Sequence, residues 1–406
     1  MVARIDQPWV RGAALQAVLE LLASDGGKAR VAGGAVRNAL LDQPIKDIDI
    51  ATTHLPQDVC ELLQGAGHKA VPTGLEHGTV TGIIEGSAFE ITTLRQDIET
   101  DGRHAKVKFG TDWVEDARRR DFTINALYMD ADGSVFDPLV GMDDVIARRV
   151  RFIDDAEMRI REDYLRILRF FRFFAWYGAF RPDANGLKAC TRLKAGLDGL
   201  SVERIWHELT RLLDAPDPSR ALLWMRQTGV LSAVLPESEN WGIDAIPGLI
   251  AAEHDQSWQP DALLRLMAIL PPVEDKLTAM ATRLRLPNKV RDRLLVWAST
   301  PDPDSKMKRP EFEKFLYRNA VGGVADRLML AHANAASAGD KKRAARFSKR
   351  LKWTRRWERP EFPVKGKHLL ERGMDPGPDV SRQLEALENK WVDSGFSLTR
   401  DELLGD

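Results

Sequence analysis

Cysteine is almost absent from this chain: Cys60 and Cys190 are the only two among 406 residues, and they lie far apart in the sequence. This excludes a disulfide framework and a cysteine zinc cluster, and it is typical of proteins in a reducing cytosol. An excess of one charge is also lacking, because 59 Lys and Arg residues balance 60 Asp and Glu residues to give a net charge of −1. Any site for a polyanion must therefore be a local patch.

Long apolar runs and a signal segment are lacking as well. The N-terminus does not have the basic-then-apolar profile of a signal peptide, and no apolar run approaches membrane-spanning length. We therefore expect a cytoplasmic protein without a membrane partner, and the sequence indicates no obligate protein partner. The length predicts two to four domains with substantial cores.

The pattern of apolar residues changes near residue 155. Before it, helical and strand patterns are mixed, and residues 79–84 and 88–93 predict two strands joined by a short turn at residues 85–87. After it, apolar residues recur at helical spacing, as in EDYLRILRFFRFFAWY. The sequence therefore predicts an α+β fold, with a mixed N-terminal part followed by an all-helical remainder.

The segment VAGGAVRNALLDQPIKDIDIAT (31–52) places Asp47 and Asp49 among isoleucines. On a strand, both carboxylates point to one face and the isoleucines to the other. Two such carboxylates repel each other unless a cation lies between them, and Mg²⁺ commonly binds one or two carboxylates together with substrate phosphates. A solvent-exposed strand edge with two charges is the alternative interpretation.

Residues around this pair favour phosphate chemistry. Gly33 and Gly34 let backbone amides approach a phosphate closely, and Arg37 adds a fixed cation. Glu90, on a neighbouring predicted strand, would add a third carboxylate, although a surface glutamate explains it equally well. Two metal ions held in this way can clamp the attacking and leaving oxygens of an in-line displacement at phosphorus.

A second polar block, RRDFTINALYMD (119–130), surrounds an apolar helix start. In a purely structural interpretation, Asp121 or Thr123 caps the helix and the arginines Arg119 and Arg120 are solvated. Taken alone, this block does not distinguish a structural from a functional role.

Together these blocks resemble the class II tRNA nucleotidyltransferase and poly(A) polymerase family, among the polymerase-β-like nucleotidyltransferases. The resemblance is strong over residues 28–175 and weaker toward the C-terminus. Asn38 departs from it, because the family usually has aspartate there; we expect little loss of activity. The matching segments are GGAVRNALLDQPIKDIDIAT, FEITTLR, RRDFTINALY, DPLVGMDD and REDYLRILRFFRF, in that order.

The resemblance implies a domain order and a reaction. The order would be a nucleotidyltransferase head (1–150), a helical neck (151–215), a helical body (216–300) and a helical, RNA-binding tail (301–406). The reaction would be attack by the 3′-hydroxyl of tRNA on the α-phosphorus of CTP or ATP, with release of pyrophosphate.

The resemblance also implies roles for single residues. Asp47 and Asp49 would hold the catalytic magnesium, as two ions in the family scheme, with Glu90 as a further catalytic carboxylate. The nucleotide would be bound by Gly33, Gly34, Arg37, Arg120, Asp121, Asn125, Asp163, Arg166 and Arg169.

Asp163 and Arg166 are three residues apart on a predicted helix, hence on one face. Aspartate only accepts hydrogen bonds and arginine only donates them. Cytosine and adenine present an amino donor beside a ring-nitrogen acceptor, whereas uracil and guanine present the reverse order. A fixed Asp/Arg pair would therefore accept CTP and ATP and reject UTP and GTP. The alternative is an ordinary helix ion pair, for which Glu162 and Arg166 are an equally good candidate.

Two further segments complete the expectations. Switching from C to A requires a movable element, for which the polar segment ETDGRHAKVKFGTDW (99–113) is the candidate; a disordered surface loop is its alternative. Residues 341–359 contain ten Lys and Arg residues against one acidic residue, and are expected to contact RNA phosphates. A helix with a solvated basic face is the alternative. The predicted RNA-binding residues are Lys341, Lys342, Arg343, Arg346, Lys349, Arg350, Lys352, Arg355 and Arg356.

Three other functions remain open at this point. A poly(A) polymerase shares the catalytic head, although its strongly basic extensions contrast with the pI of about 6.7 of this chain. A partial enzyme would add only A or only CC. A non-catalytic RNA-binding module is disfavoured because Asp47, Asp49, Asp163 and Arg166 are intact.

Overall fold

The computed structural model describes residues 3–101, 104–239 and 241–405. The chain divides into two compact units, Met1–Pro236 and Glu237–Asp406. The strands lie in the first unit, and the second unit is helical. The α+β fold class is confirmed, whereas the division into head, neck, body and tail stays a prediction.

The strands described in the first unit are short. They are β1 (Ala29–Ala32), β2 (Asp49–Thr52), β3 (Lys69–Gly74), β4 (Thr79–Ile84), β5 (Ser87–Thr93), β6 (Arg95–Asp101), β7 (His104–Phe109), β8 (Tyr128–Met129) and β9 (Val135–Phe136).

One mixed sheet contains seven of these strands in the order β3-β4-β5-β2-β1-β8-β9. β2 and β5 run parallel, and the other neighbours run antiparallel. All four residues of β1 are buried, as expected of a central strand covered on both faces. β6 and β7 form a separate antiparallel pair.

The helices of the first unit pack around this sheet and continue beyond it. They are α1 (Ala13–Leu22), α2 (Gly34–Leu40), α3 (Pro56–Gly65), α4 (Trp113–Arg118), α5 (Met142–Ile146), α6 (Ala156–Glu162), α7 (Leu165–Tyr177), α8 (Ala184–Leu193), α9 (Val202–Leu213), α10 (Ser219–Gln227) and α11 (Val230–Val234), with 3₁₀ turns at Pro8–Arg11, Ser24–Gly26, Leu75–His77, Thr123–Asn125, Lys194–Gly199 and Pro236–Ser238.

The second unit contains ten further α-helices in its described residues. They are α12 (Ala245–Asp255), α13 (Ala262–Ala268), α14 (Glu274–Arg283), α15 (Asn288–Ser299), α16 (Arg309–Arg318), α17 (Val321–Ser337), α18 (Lys341–Thr354), α19 (Gly366–Leu370), α20 (Pro378–Asp393) and α21 (Arg400–Leu404). No helix in the described part of the chain has both the length and the apolar character needed to cross a membrane.

The predicted hairpin is present as β4 and β5. β5 begins at Ser87, one residue earlier than expected, so the turn consists of Glu85 and Gly86, both with positive φ (49° and 80°). This is the backbone of a two-residue turn whose twist matches that of the strands it joins. The alternation of buried and exposed residues along β4 and β5 was therefore a reliable signal.

Two local predictions were wrong. Asp47 does not belong to the strand, because β2 begins only at Asp49. The segment 99–113 is not one continuous loop, since it contains the end of β6, all of β7 and the start of α4. Residues 102 and 103 lie outside the described residues. That the segment 99–113 moves during nucleotide selection stays a prediction.

Candidate active site

Two carboxylates lie side by side on the neighbouring parallel strands β2 and β5. Asp49 and Glu90 are register partners, and the next partners are Ile50 and Ile91. Both acidic residues are exposed, whereas both isoleucines are almost completely buried. Since register partners project to the same face of a sheet, the buried isoleucines fix the two carboxylates side by side on the exposed face.

The charged side chains around Asp49 shift its pKa. Desolvation by the surrounding protein and then the Glu90 carboxylate raise the pKa of Asp49, and Asp47 acts in the same direction. Arg120 opposes this shift. Within the described ranges, no three His, Cys, Asp or Glu side chains are arranged to hold a metal ion. The group nevertheless consists of carboxylate oxygens, which are the donors that hard divalent cations take.

Gly33 forms the turn between β1 and α2, and only glycine fits there. Its φ is 62°, and a Cβ would lie 2.9 Å from Arg120 Nη1 and 3.3 Å from the carbonyl oxygen of Asn125. The preceding residue, Ala32, pairs with Asp49 on β2. The glycine turn therefore lies next to the strand that carries the acidic residue.

A cavity of about 530 Å³ opens at this turn. The structure brings together in its wall all nine residues that were predicted to bind the nucleotide. The wall carries eight arginines against two aspartates, which suits a triphosphate. The lining residues are Gly33, Gly34, Arg37, Arg119, Arg120, Asp121, Asn125, Asp163, Leu165, Arg166, Arg169, Arg172, Phe173, Tyr177, Arg204 and Arg211.

Arg37 is a buried cation held from several sides. Its Nη2 donates to the Tyr177 hydroxyl at 2.8 Å and to Asn38 Oδ1 at 2.9 Å, and its Nη1 donates to Asn125 Oδ1. Burial lowers the pKa of Arg37. Asn38, the departure from the family pattern, thus orients this arginine through a neutral amide rather than a carboxylate.

Asp121 links the 119–130 block to α7. It accepts hydrogen bonds from the Phe122 amide (2.9 Å), Asn125 Nδ2 (2.8 Å) and Arg169 Nε (2.8 Å). Burial alone would raise the pKa of Asp121, but Arg169 and Asn125 outweigh it and hold that pKa at about 2. Asp121 therefore does more than cap a helix. It places a negative charge in the cavity wall and connects the 119–130 block to α7.

The two arginines of the block are largely buried, so their interpretation as solvated residues was wrong. Arg119 Nε donates to Asp116 Oδ1 at 2.7 Å, and Arg120 Nη2 donates to Asp116 Oδ2 at 3.2 Å. The hydroxyl of Tyr128 donates to the same Asp116 oxygen as Arg120, at 2.7 Å. Asp116 therefore fixes both guanidinium groups at the cavity.

Asp163 and Arg166 do not lie on one helix, contrary to the prediction. Asp163 has extended backbone angles at the end of α6, and Arg166 lies in the first turn of α7. Arg166 Nη1 donates to Glu162, which was the alternative ion pair. Asp163 Oδ2 instead accepts from Arg204 Nη2, on α9, at 2.6 Å. Both Asp163 and Arg166 still line the same cavity.

The sequence analysis missed several residues of this wall. Among the missed residues, Tyr177 and Arg204 line the cavity. Asp116 and Glu208 do not line it but hold predicted residues from other elements; Glu208, for example, forms an ion pair with Arg169 at 3.8 Å. Arg204 and Glu208 are four residues apart in SVERIWHEL, a spacing that places them on one face of α9. That spacing was a usable signal, but it does not identify the partners.

The predicted RNA-binding residues lie on or just after α18 in the second unit. Phe347 is buried, and Arg350 Nη1 donates to the carbonyl oxygen of Ser305 at 2.7 Å. Arg350 therefore anchors the segment before α16. Eight of the nine predicted residues are exposed: Lys341, Lys342, Arg343, Arg346, Lys349, Lys352, Arg355 and Arg356.

Two family profiles match the chain. The one described as "Poly A polymerase head domain" matches residues 29–151, and the one described as "Probable RNA and SrmB- binding site of polymerase A" matches residues 179–241. The first match contains the glycine turn, the acidic strands and the 119–130 block.

Curated proteins and solved structures are similar over greater lengths. The mitochondrial CCA tRNA nucleotidyltransferase 1 of Mus musculus is 33% identical over 402 residues, covering 96% of this chain and 88% of that protein. The CCA-adding enzyme of Geobacillus stearothermophilus is 40% identical over 222 residues, 54% of this chain and 53% of that protein.

The solved structure of the Bacillus stearothermophilus CCA-adding enzyme in complex with CTP has a TM-score of 0.77 and 29% identity, and covers 96% of this chain and 94% of that chain. The Thermotoga maritima CCA-adding enzyme complexed with tRNA, at 18% identity, has a TM-score of 0.69 over 99% and 95% of the two chains and shows the common fold. With a relative 33% identical along almost the whole length, this chain belongs to the CCA tRNA nucleotidyltransferase family.

Proposed function

We propose that this protein adds CMP and AMP to the 3′ end of tRNA without a nucleic-acid template, using CTP and ATP and releasing pyrophosphate. One observation carries the proposal. The in-register carboxylates of Asp49 and Glu90 stand beside a glycine turn that opens into an arginine-lined cavity, and the same cavity contains Asp163 and Arg166. Chemistry at phosphorus and selection of a base are thus supported in one place.

The acidic group has the carboxylate donors that magnesium takes. Asp47 and Asp49 would hold the ion or ions, and Glu90 would contribute a third carboxylate. The like-charge effect of Glu90 and Asp47 on the pKa of Asp49 supports this assignment, because a divalent cation relieves such repulsion. When bound, magnesium would supply charge neutralisation at the α-phosphorus and activation of the attacking oxygen.

The chain's own residues would position the two substrates. The arginines of the cavity would neutralise the triphosphate, and the amide groups at the start of α2 would donate to its oxygens. Asp121 and Asn125, with Arg120, would border the ribose. Asp163 would accept the amino group of cytosine or adenine, while Arg166 donates to the adjoining ring nitrogen.

With uracil or guanine, the acceptor Asp163 would face a carbonyl oxygen and the donor Arg166 would face a ring N–H. Such mismatches between polar groups disfavour the wrong nucleotide by several orders of magnitude. The Asp163 carboxylate is oriented by Arg204, which supports a fixed protein template rather than a mobile one.

The RNA partner would be tRNA. The relatives named above are CCA-adding enzymes, and one similar structure is a complex with tRNA. The exposed basic residues of α18 support contacts with its phosphates. We further propose the cytosol as the compartment, although the mouse relative is mitochondrial by name; fractionation of cells followed by immunodetection tests this assignment.

One assay tests the function. Purified protein and magnesium are incubated with tRNA transcripts that end at the discriminator base, at C or at CC, with each nucleoside triphosphate singly and in combination. We expect completion of CCA on each transcript and no UMP or GMP incorporation. Long tails on an unstructured oligo(A) would instead indicate a poly(A) polymerase. Addition of only CC or only A would indicate a partial enzyme, and no incorporation at all would contradict the proposal.

A further inference from the structure

A second basic cavity lies within the second unit, separate in its lining from the cavity of the first unit. It has a volume of about 630 Å³, within the range typical of ligand sites. It is bounded by α16, α18 and the segment before α16. Its lining contains seven Lys and Arg residues and no acidic residue, together with the rings of Phe312 and Trp353.

The guanidinium of Arg309 lies over an aromatic ring in this cavity. Its carbon is 3.8 Å from the centre of the Trp353 ring, and its Nε donates to Glu313 Oε1 at 3.0 Å. These two contacts hold the guanidinium in place. Its side chain is nevertheless 68% exposed, so the face that does not touch the tryptophan is open.

A row of cations runs along the same cavity. Arg346, Lys349, Lys352 and Arg356 follow one another at intervals of three or four residues, which places them on one side of α18 and its extension. Over ten residues this row is about 15 Å long. Across the described parts of the chain, none of the four has an acidic side chain within ion-pair distance, so their charges are available to a ligand.

We propose that this cavity takes an unpaired nucleotide of the RNA, with its base stacked on the open face of Arg309 and the adjoining phosphates held by Arg346, Lys349, Lys352 and Arg356. The inference rests on the proposed function only in taking RNA as the partner. Arginine planes and aromatic rings are the surfaces on which proteins stack splayed RNA bases. The carboxylates of an acidic peptide would instead pair with the N–H edge of the guanidinium and leave its open face uncovered.

The test separates stacking from charge. Binding of labelled tRNA transcript is measured by fluorescence anisotropy, without nucleoside triphosphate, over a range of salt concentrations. Arg309→Lys keeps the charge but loses the plane; we expect it to raise the Kd about tenfold, nearly as much as Arg309→Ala, with the salt dependence unchanged. A wild-type Kd for Arg309→Lys would overturn the proposal.

A matched pair of lysines in the second unit tests the phosphate contacts. Lys349→Gln removes a cation that lines the cavity, and should weaken binding and lower the slope of log K against log salt by about one. Lys276→Gln removes an exposed cation of α14 outside the lining, and should leave both quantities near the wild-type values. Equal effects of the two substitutions would overturn the assignment to this cavity.

Two further readouts complete the test. For the wild-type protein, a single-stranded 12-nucleotide RNA should compete with tRNA better than a blunt RNA duplex of the same length. This difference should disappear in Arg309→Lys. A duplex that competes as well as the single strand for the wild type would overturn the proposal. In CMP incorporation, Arg309→Lys should raise the KM for tRNA and leave the KM for CTP unchanged. Persistence of the binding differences in a protein that incorporates nothing would support the cavity while the proposed function fails.

Discussion

The carboxylate of Asp163 is held at both oxygens by groups outside its own helix. Oδ2 accepts from Arg204 Nη2 at 2.6 Å, and Oδ1 accepts from the Leu165 amide at 3.1 Å. The first contact crosses from α9, 41 residues away in the sequence. Asp163 is thereby oriented toward the cavity by the packing of α9 rather than by the periodicity of α7.

Removing this support should loosen base choice. We expect Arg204→Ala to raise UMP and GMP incorporation relative to CMP at least tenfold, because the carboxylate gains alternative orientations, with Arg204→Lys intermediate. Asp163→Ala should have the same effect in stronger form and leave magnesium binding intact. Single-nucleotide incorporation with each triphosphate measures this. Strict selectivity for C and A in the Asp163 variant would contradict the template role.

The glycine turn offers a second prediction. Gly33→Ala should lower kcat/KM at least a hundredfold, because its Cβ would lie 2.9 Å from Arg120 Nη1 at a φ of 62°. Gly34→Ala is the matched control: its Cβ would lie 3.8 Å from Arg37 Nη2, an ordinary contact distance, and we expect at most a tenfold loss. Steady-state kinetics with CTP measures both. Equal losses would mean that the backbone itself, and not the contact with Arg120, limits activity.

Substitution of Glu90 shows whether this residue is a catalytic carboxylate or a surface glutamate. Glu90→Gln should raise the magnesium concentration needed for half-maximal incorporation and lower the maximal rate, because the register partner of Asp49 loses its charge. Glu85→Gln, in the turn of the same hairpin, serves as the control. A magnesium titration that is identical for Glu90→Gln and the wild type would assign this residue to the surface only.

The depressed pKa of Asp121 predicts an acid-sensitive contribution to stability. Because its folded-state pKa of about 2 lies below the unfolded value, this contribution is present above pH 4 and is lost as the pH falls toward 2. It amounts to about 2 kcal/mol. Asp121→Asn should therefore be less stable than the wild type at pH 7 and should differ little from it near pH 2.

Urea unfolding followed by circular dichroism at pH 7, 5 and 3 measures this difference. Asp143→Asn changes an exposed aspartate of α5 and should leave the free energy of unfolding nearly unchanged. If the stability gap between Asp121→Asn and the wild type stays constant across this pH range, the ion pair with Arg169 does not set the titration.

The sequence was most informative where periodicity and chemistry coincide. The alternation in residues 79–93 predicted β4 and β5, and the nine residues that the family resemblance assigned to the nucleotide all line one cavity. Local breaks were harder to predict. The apolar spacing continues from α6 into α7, so nothing in it marks the extended backbone at Asp163, where two helices meet.

Contacts between distant segments were not predictable from spacing. By spacing, Arg166 is a candidate partner for both Asp163 and Glu162. The observed partner of Asp163 is Arg204, and this pairing depends on how α9 packs against α7. In the same way, the burial of Arg119 and Arg120 follows from their ion pairs with Asp116, which lies outside the 119–130 block. Such pairs follow from tertiary packing, which a single sequence does not display.

The most direct measurement is the rate of CMP and AMP incorporation into tRNA that lacks its CCA end, for Asp47→Ala and Asp49→Ala beside the wild type. Thermal unfolding and tRNA binding serve as controls for intact structure. The account predicts a loss of at least a thousandfold for each variant, with both controls unchanged, because the proposed function assigns to these carboxylates the magnesium needed at the α-phosphorus. Incorporation near the wild-type rate in either variant would contradict it.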